Sequence, residues 1–98
     1  MIIEHVVLPV RSGMETEFEN AFGQAKSIIS NMPGFVSLRL SRGIEKTSHY
    51  LLLVEWESLE DHTIGFRQST QYRRWSELLH HFYDPFPDVD HFAVVRST

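Results

Sequence analysis

Six histidines and no cysteine set the side-chain chemistry open to this 98-residue sequence. Three of the histidines fall in one aromatic-rich run, DHTIGFRQSTQYRRWSELLHHFYDPFP, from Asp61 to Pro87. Histidine has a reference pKa of about 6.5, so it suits a general base, a hydrogen-bond partner or a metal ligand. Without cysteine there are no disulfides, thiolate nucleophiles, iron–sulfur clusters or cysteine-based zinc sites. His80 and His81 look like a metal pair but make a poor one, because helix neighbours point about 100° apart. Their expected outlook is solvent, a partner subunit or the C-terminal loop. Glu77 and His81 stand at i and i+4, yet two ligands outside an H-E-x-x-H context do not make a metal site. No metal is expected. His62 ranks first as a base. It shares a helical stripe with Leu59 and Phe66 and so edges an apolar face; the competing role is a surface or capping histidine bonded to a backbone carbonyl. His5, His49 and His91 lie in strands, and which side they face depends on a register that the sequence leaves open.

The elements that would position these groups follow from periodicity. Ile2 to Val10 (IIEHVVLPV) is β-branched and aliphatic and predicts a strand. Ser12 and Glu15 match a capping box. From Met14 the apolar residues step by threes and fours through Phe18, Phe22, Ala25, Ile29 and Met32, which predicts a helix ended by Pro33 and Gly34. Phe35 to Arg42 alternates, with Val36, Leu38 and Leu40 assigned to one face. His49 to Glu57 follows after a hairpin-length loop and predicts its antiparallel partner. Ser58 can cap a second helical region that breaks near Gly65 to Thr70 and resumes from about Gln71 to Phe82. His91 to Ser97 predicts the last strand.

The order β-α-β-β-α-β is the ferredoxin-like α+β arrangement, a four-stranded antiparallel sheet with both helices on one face, in a single domain over residues 1–98. The first and third strands are apolar on both faces: Ile2, Val6 and Leu8 against Ile3 and Val7, and Tyr50, Leu52, Val54 and Trp56 against Leu51 and Leu53. A sheet covered on one side alternates cleanly, so two-sided strands need a second cover. The chain is too short to supply a third layer. A homodimer packed sheet against sheet is the expectation, the alternative being an open, greasy sheet.

Composition bounds the partners. Hydrophobic residues make up 42% and charged residues 22%, the balance of an ordinary globular domain, and the formal charge is −4. A net acidic chain does not draw phosphate backbones or anionic membranes, so no nucleic acid and no membrane is expected. No basic segment followed by an apolar core opens the sequence, and a cytoplasmic location is the expectation.

The element order, MPGFVSLRL after the first helix, VEWES before the second and SxxYxxW within it together resemble the antibiotic biosynthesis monooxygenase (ABM) family over essentially the whole chain. The resemblance implies a dimeric α+β barrel with a hydrophobic pocket between sheet and helices in each protomer. It also implies oxidation of quinol-like or phenolic aromatic molecules by O₂ with no bound cofactor. Other members bind and degrade haem, and one group isomerises a small phosphorylated sugar-like signal. Many members carry a histidine six residues before the aromatic of SxxY/F; here that place is Phe66. The haem-degrading members pair this histidine with an asparagine on the first strand, which here offers only His5. That departure weakens the haem reading and makes His62, one helical turn earlier, the candidate for the same pocket.

On this reading His62 is the base or hydrogen-bond donor. Phe66, Tyr72, Trp75 and Trp56 are the walls on which a flat substrate would stack, although buried tryptophans also serve plain core packing. Arg67 either binds an anionic substrate group or pairs with Glu60, Asp61 or a partner subunit. Phe86 and the DPFPD turn either close one end of the pocket or simply pack. The rival reading from another class is a non-catalytic dimer that binds a small ligand in the same pocket.

Overall fold

Alternation along β1 (Ile2–Pro9) divides the molecule into a core side and an outer side. Glu4, Val6 and Leu8 are buried, whereas Val7 between them is exposed. In the computed structural model, which describes residues 1–98, β1 lies between β3 (His49–Trp56) and β4 (Val89–Ala93), and β2 (Phe35–Arg42) flanks β3. The sheet order is β2-β3-β1-β4, all antiparallel, and the sheet is open at both edges. Two helices, α1 (Glu15–Ser30) and α2 (Thr70–Leu79), pack against each other over the side that carries Val6, Leu8, Tyr50, Leu52 and Val54. This is the β-α-β-β-α-β arrangement expected from the sequence. No helix is long and apolar enough to cross a membrane.

Helix α1 buries Phe18, Phe22, Ala25 and Ile29, one stripe at steps of four, three and four. The expected Ser12 cap does not form. The helix begins at Glu15 with Met14 at its N-cap and no side-chain cap. Gly13 takes a left-handed φ of +91°, which turns the chain before the helix and leaves Ser12 outside it. Glu15 instead accepts from the Gly13 N–H at 3.0 Å and from the Ser48 hydroxyl at 2.5 Å. At the other end Gly34 has φ +83°, and a Cβ there would collide with the Asp61 carboxyl group. Only glycine meets both demands.

Two strand assignments shift. In β2 a bulge between Phe35 and Ser37 adds one residue, so Phe35, Leu38 and Leu40 pack toward the core while Val36 is exposed. β4 runs Val89–Ala93 rather than from His91 to Ser97, because its partner ends: Ala93 pairs with Ile2, and β1 extends no further.

The second helical region is divided as the break near Gly65 suggests, with different joints. Ser58 accepts from the Asp61 N–H at 3.2 Å and leads into a π-helical turn, Asp61–Phe66. Ser69 then caps α2 by accepting from the Tyr72 N–H at 3.1 Å. A 3₁₀ turn, His80–Phe82, follows α2.

The outer side of the sheet is uncovered. Ile3, His5, Leu51 and Leu53 are half-buried, and Val7 and Phe92 are exposed. His5 meets the Phe92 ring edge-on at 5.5 Å.

Candidate functional site

A cavity of about 500 Å³ lies between β1 and β4 on one side and the π-helical turn, α2 and the turn before β4 on the other. Its walls are mainly apolar: Val6 and Leu8 from β1, Leu52 from β3, Phe66 from the π-helical turn, and Trp75 from α2. The π-helical turn matters here. His62 and Phe66, four residues apart, fall on its buried side.

The structure brings five of the expected site residues to this wall: His62, Phe66, Arg67, Tyr72 and Trp75. The sixth, Trp56, is not a wall residue. It is fully buried and lies behind His62, the two rings stacked at 5.4 Å and 19°. Phe86 and the turn before β4 do line the cavity. His80 also faces it, half-buried with its ring centroid 4.9 Å from that of Phe86 in an edge-to-face arrangement, whereas His81 is exposed. Arg67 finds neither Glu60 nor Asp61. The ion pairs are Arg11–Asp84 and Arg42–Glu19, which leaves Arg67 at the cavity wall without a carboxylate partner.

The polar centre of the site contains two residues that the sequence reading did not assign. Glu4 is only 6% exposed and sits in the core phase of β1, in register with Val6 and Leu8. Its Oε1 accepts from Trp56 Nε1 at 3.0 Å and lies 3.3 Å from His62 Nε2. On the far side of the His62 ring, Nδ1 lies 2.8 Å from Nε2 of His91. Glu4 and His91 are direct partners across the β1–β4 ladder, so register alone places both on this face. The three groups form a line with His62 in the middle. They do not converge on a point, and no cluster of three such side chains has the arrangement of a metal site. One signal in the sequence could have found Glu4: a carboxylate in the same alternation phase as Ile2, Val6 and Leu8.

Burial dominates the electrostatics. It pushes the Glu4 carboxyl up to about 7, against the opposing pull of the Trp56 hydrogen bond and the Arg67 charge. It pushes His62 down to about 3, with Arg67 and His91 adding to the effect. His91 and His80 are also lowered by burial, His91 further by Arg67 and less so because of Asp90. The imidazoles are therefore neutral near neutral pH, and Glu4 is the group that titrates there.

Stability should carry this signature. Folding favours the acid form of Glu4, so its contribution is full below about 4.5 and is lost as pH rises through 7. Folding favours neutral His62, so that contribution is full above about 6.5 and is lost as pH falls through 3. The two slopes oppose each other across the middle of the range. Comparing the wild type with Glu4→Gln isolates the first. The wild type should lose up to about 3 kcal/mol relative to the variant as pH rises from 4.5 to 7. Urea unfolding of both proteins at a series of pH values measures this, and a constant difference contradicts it.

The sequence of residues 1–78 matches the family model described as antibiotic biosynthesis monooxygenase. The chain is 55% identical over 95 residues to the uncharacterized protein YczJ of Bacillus subtilis, covering 97% of this chain and all of that one. Among solved structures, a Bordetella bronchiseptica protein assigned as an antibiotic biosynthesis monooxygenase superposes with a TM-score of 0.92 at 32% identity, over 97% of each chain. SnoaB, a cofactor-independent oxygenase of Streptomyces nogalater, superposes with a TM-score of 0.82 at 19% identity, over 98% of this chain and 94% of its own, a likeness of fold.

Proposed function

This chain belongs to the antibiotic biosynthesis monooxygenase family, and from that premise we propose that it oxidises a small aromatic or quinol-like molecule with O₂, the substrate itself supplying the electrons. The observation that carries the proposal is the cavity: aromatic and aliphatic walls of the right scale for one small flat molecule, with a titrating carboxylate set among them. Oxygenation without a cofactor needs a base to make an electron-rich anion, an apolar space that keeps water from that anion, and a shape that holds a ring. Glu4 and His62 supply the polar wall. Phe66, Tyr72 and Trp75 supply surfaces for stacking, and Arg67 supplies a positive charge for the substrate anion. In balance, a CH₂ group activated by a phenolic ring becomes a carbonyl. One oxygen atom enters the product, and the other leaves as water with the two hydrogens.

The chain pairs with a second copy through the outer side of the sheet, where Val7, Leu51, Leu53 and Phe92 present an apolar surface that no helix covers. Haem ligation through His62 is disfavoured, because both of its ring nitrogens are engaged, by Glu4 and by His91.

An oxygen electrode tests the activity against a panel of quinols and anthrones. Uptake should exceed the non-enzymatic rate, and His62→Ala should lower it about 100-fold. A panel that binds, read by tryptophan fluorescence, but consumes no extra O₂ would establish the non-catalytic binding module instead.

A further inference from the structure

We propose that the proton acceptor of this cavity is Glu4, through its Oε2 atom, and that His62 and His91 act as positioning residues that hold the other carboxylate oxygen. The inference rests on the oxygenase reading above and identifies the atom that receives the substrate's proton.

Both polar contacts of the Glu4 carboxylate fall on Oε1: a hydrogen bond from Trp56 Nε1 at 3.0 Å and a close approach of His62 Nε2 at 3.3 Å. Oε2 has no partner. No side-chain nitrogen or oxygen that is sealed from solvent lacks one, so Oε2 is open, and the opening that Glu4 lines is the cavity. A proton count then fixes the histidines. The indole N–H of Trp56 can only donate. An ionised carboxylate can only accept, so His62 must carry its proton on Nε2, facing Oε1. Its Nδ1 is then an acceptor, and the 2.8 Å contact is closed by a proton on His91 Nε2. In this pattern both nitrogens of His62 face a partner, Glu4 Oε1 and His91 Nε2, and His62 has no lone pair left for a substrate. Burial also holds His62 well below its usual range and Glu4 above its own, which assigns neutral-pH proton exchange to the carboxylate.

The charged and titratable groups that share the cavity with this carboxylate are His62 and Arg67 from the π-helical turn and the residue after it, Tyr72 on α2, His80 and Tyr83 after it, and Asp88 in the turn before β4, with His91 and Asp90 beside them on β4. Of these, Arg67 is the one fixed positive charge. It favours the ionised carboxylate before the reaction and the substrate anion after it.

The chemistry balances on this one atom. An activated C–H or phenolic O–H bond of the substrate breaks, its electron pair stays on the substrate, and the proton forms a bond to Oε2. The anion adds to O₂ and gives a peroxide anion, which takes the proton back from Oε2. Loss of the remaining proton from the same carbon to Oε2 then expels the outer oxygen as hydroxide. That hydroxide takes the proton and leaves as water. The carboxylate ends as it began, and the oxidant is O₂ alone.

NMR of the full chain decides the protonation pattern without turnover. In a protein labelled with ¹³C and ¹⁵N, the Glu4 side-chain carboxyl, assigned by its loss in Glu4→Gln, should titrate with a midpoint near 7. The ¹⁵N shifts of His62 should report a neutral ring protonated on Nε2 from about pH 5 to 9. An imidazolium on His62 appearing near pH 6 to 7, beside a Glu4 that stays ionised, overturns the proposal. With a substrate that consumes O₂, Glu4→Gln should lower kcat about 100-fold, leave KM within about 3-fold and abolish the rise of rate near neutral pH. His91→Gln should lower kcat less than about 10-fold and shift that rise. A Glu4→Gln variant that folds and retains kcat within 3-fold overturns the proposal. Wild-type protein that consumes no O₂ removes the oxygenase reading, and with it the catalytic role, whatever NMR shows of the resting protons.

Discussion

Trp56→Ala should cost about 4 kcal/mol of folding stability, the largest loss expected from any single truncation near the site. Trp56 is fully buried at the end of β3. Its indole stacks on His62, meets Phe66 at 5.9 Å and takes the Phe35 ring edge-on at 6.0 Å. Alanine removes those contacts and leaves a void that the surrounding rings, fixed on a strand and a π-helical turn, cannot close. It also removes the indole N–H that donates to Glu4 Oε1. Trp56→Phe separates the two effects. It keeps most of the ring packing and loses the N–H, so it should cost about 1–2 kcal/mol and drive the Glu4 carboxyl still higher, since that hydrogen bond is what pulls it down. Urea midpoints for both variants measure this. A loss below about 1.5 kcal/mol for Trp56→Ala would mean that the tryptophan is not the packing support behind His62.

Val7→Glu should turn a dimer into a monomer. Val7 points away from the helices at the middle of β1, is 46% exposed, and pairs across the ladder with Leu51. If two sheets meet on this side, the substitution places a carboxylate from each copy into an apolar seam, in a chain whose formal charge is already −4. Like charges brought together in a dry interface cost several kcal/mol, so association should weaken by more than about 100-fold. Light scattering at micromolar concentration should report a dimer mass for the wild type and half of it for the variant. The distance of Val7 from the Glu4–His62 pair, on the opposite side of the sheet, makes this a clean change of assembly. A wild-type monomer under the same conditions would refute the pairing.

What could be seen beforehand depended on which physical signal each residue carried. β2 was legible to the residue because Ser37, Arg39 and Ser41 alternate with apolar neighbours, yet the bulge at Val36 was not, since an extra residue in a ladder leaves no mark in composition. The buried stripe of α1 was legible from spacing alone. Its cap was misread because Gly13 turns the backbone in a way that a capping pattern does not encode. β4 was placed by its run of apolar residues, but its length is set by where β1 stops. In the site, His62 could be placed at the edge of an apolar face. Its partners could not. Glu4 reads as one acid among aliphatic residues, and His91 needs a register that exists only once β1 and β4 are paired.

That pairing ties the sheet edge to the chemistry. In an antiparallel ladder, moving one strand along by a single residue turns each of its side chains to the opposite surface. For β4 such a slip would bring Phe92 inward and carry His91 out, so the inner imidazole would lose its only nitrogen neighbour while the helices stayed where they are. The number of residues between Tyr83 and Val89 therefore acts as a measuring rod: lengthening or shortening that turn by one miscounts the register before it disturbs the core.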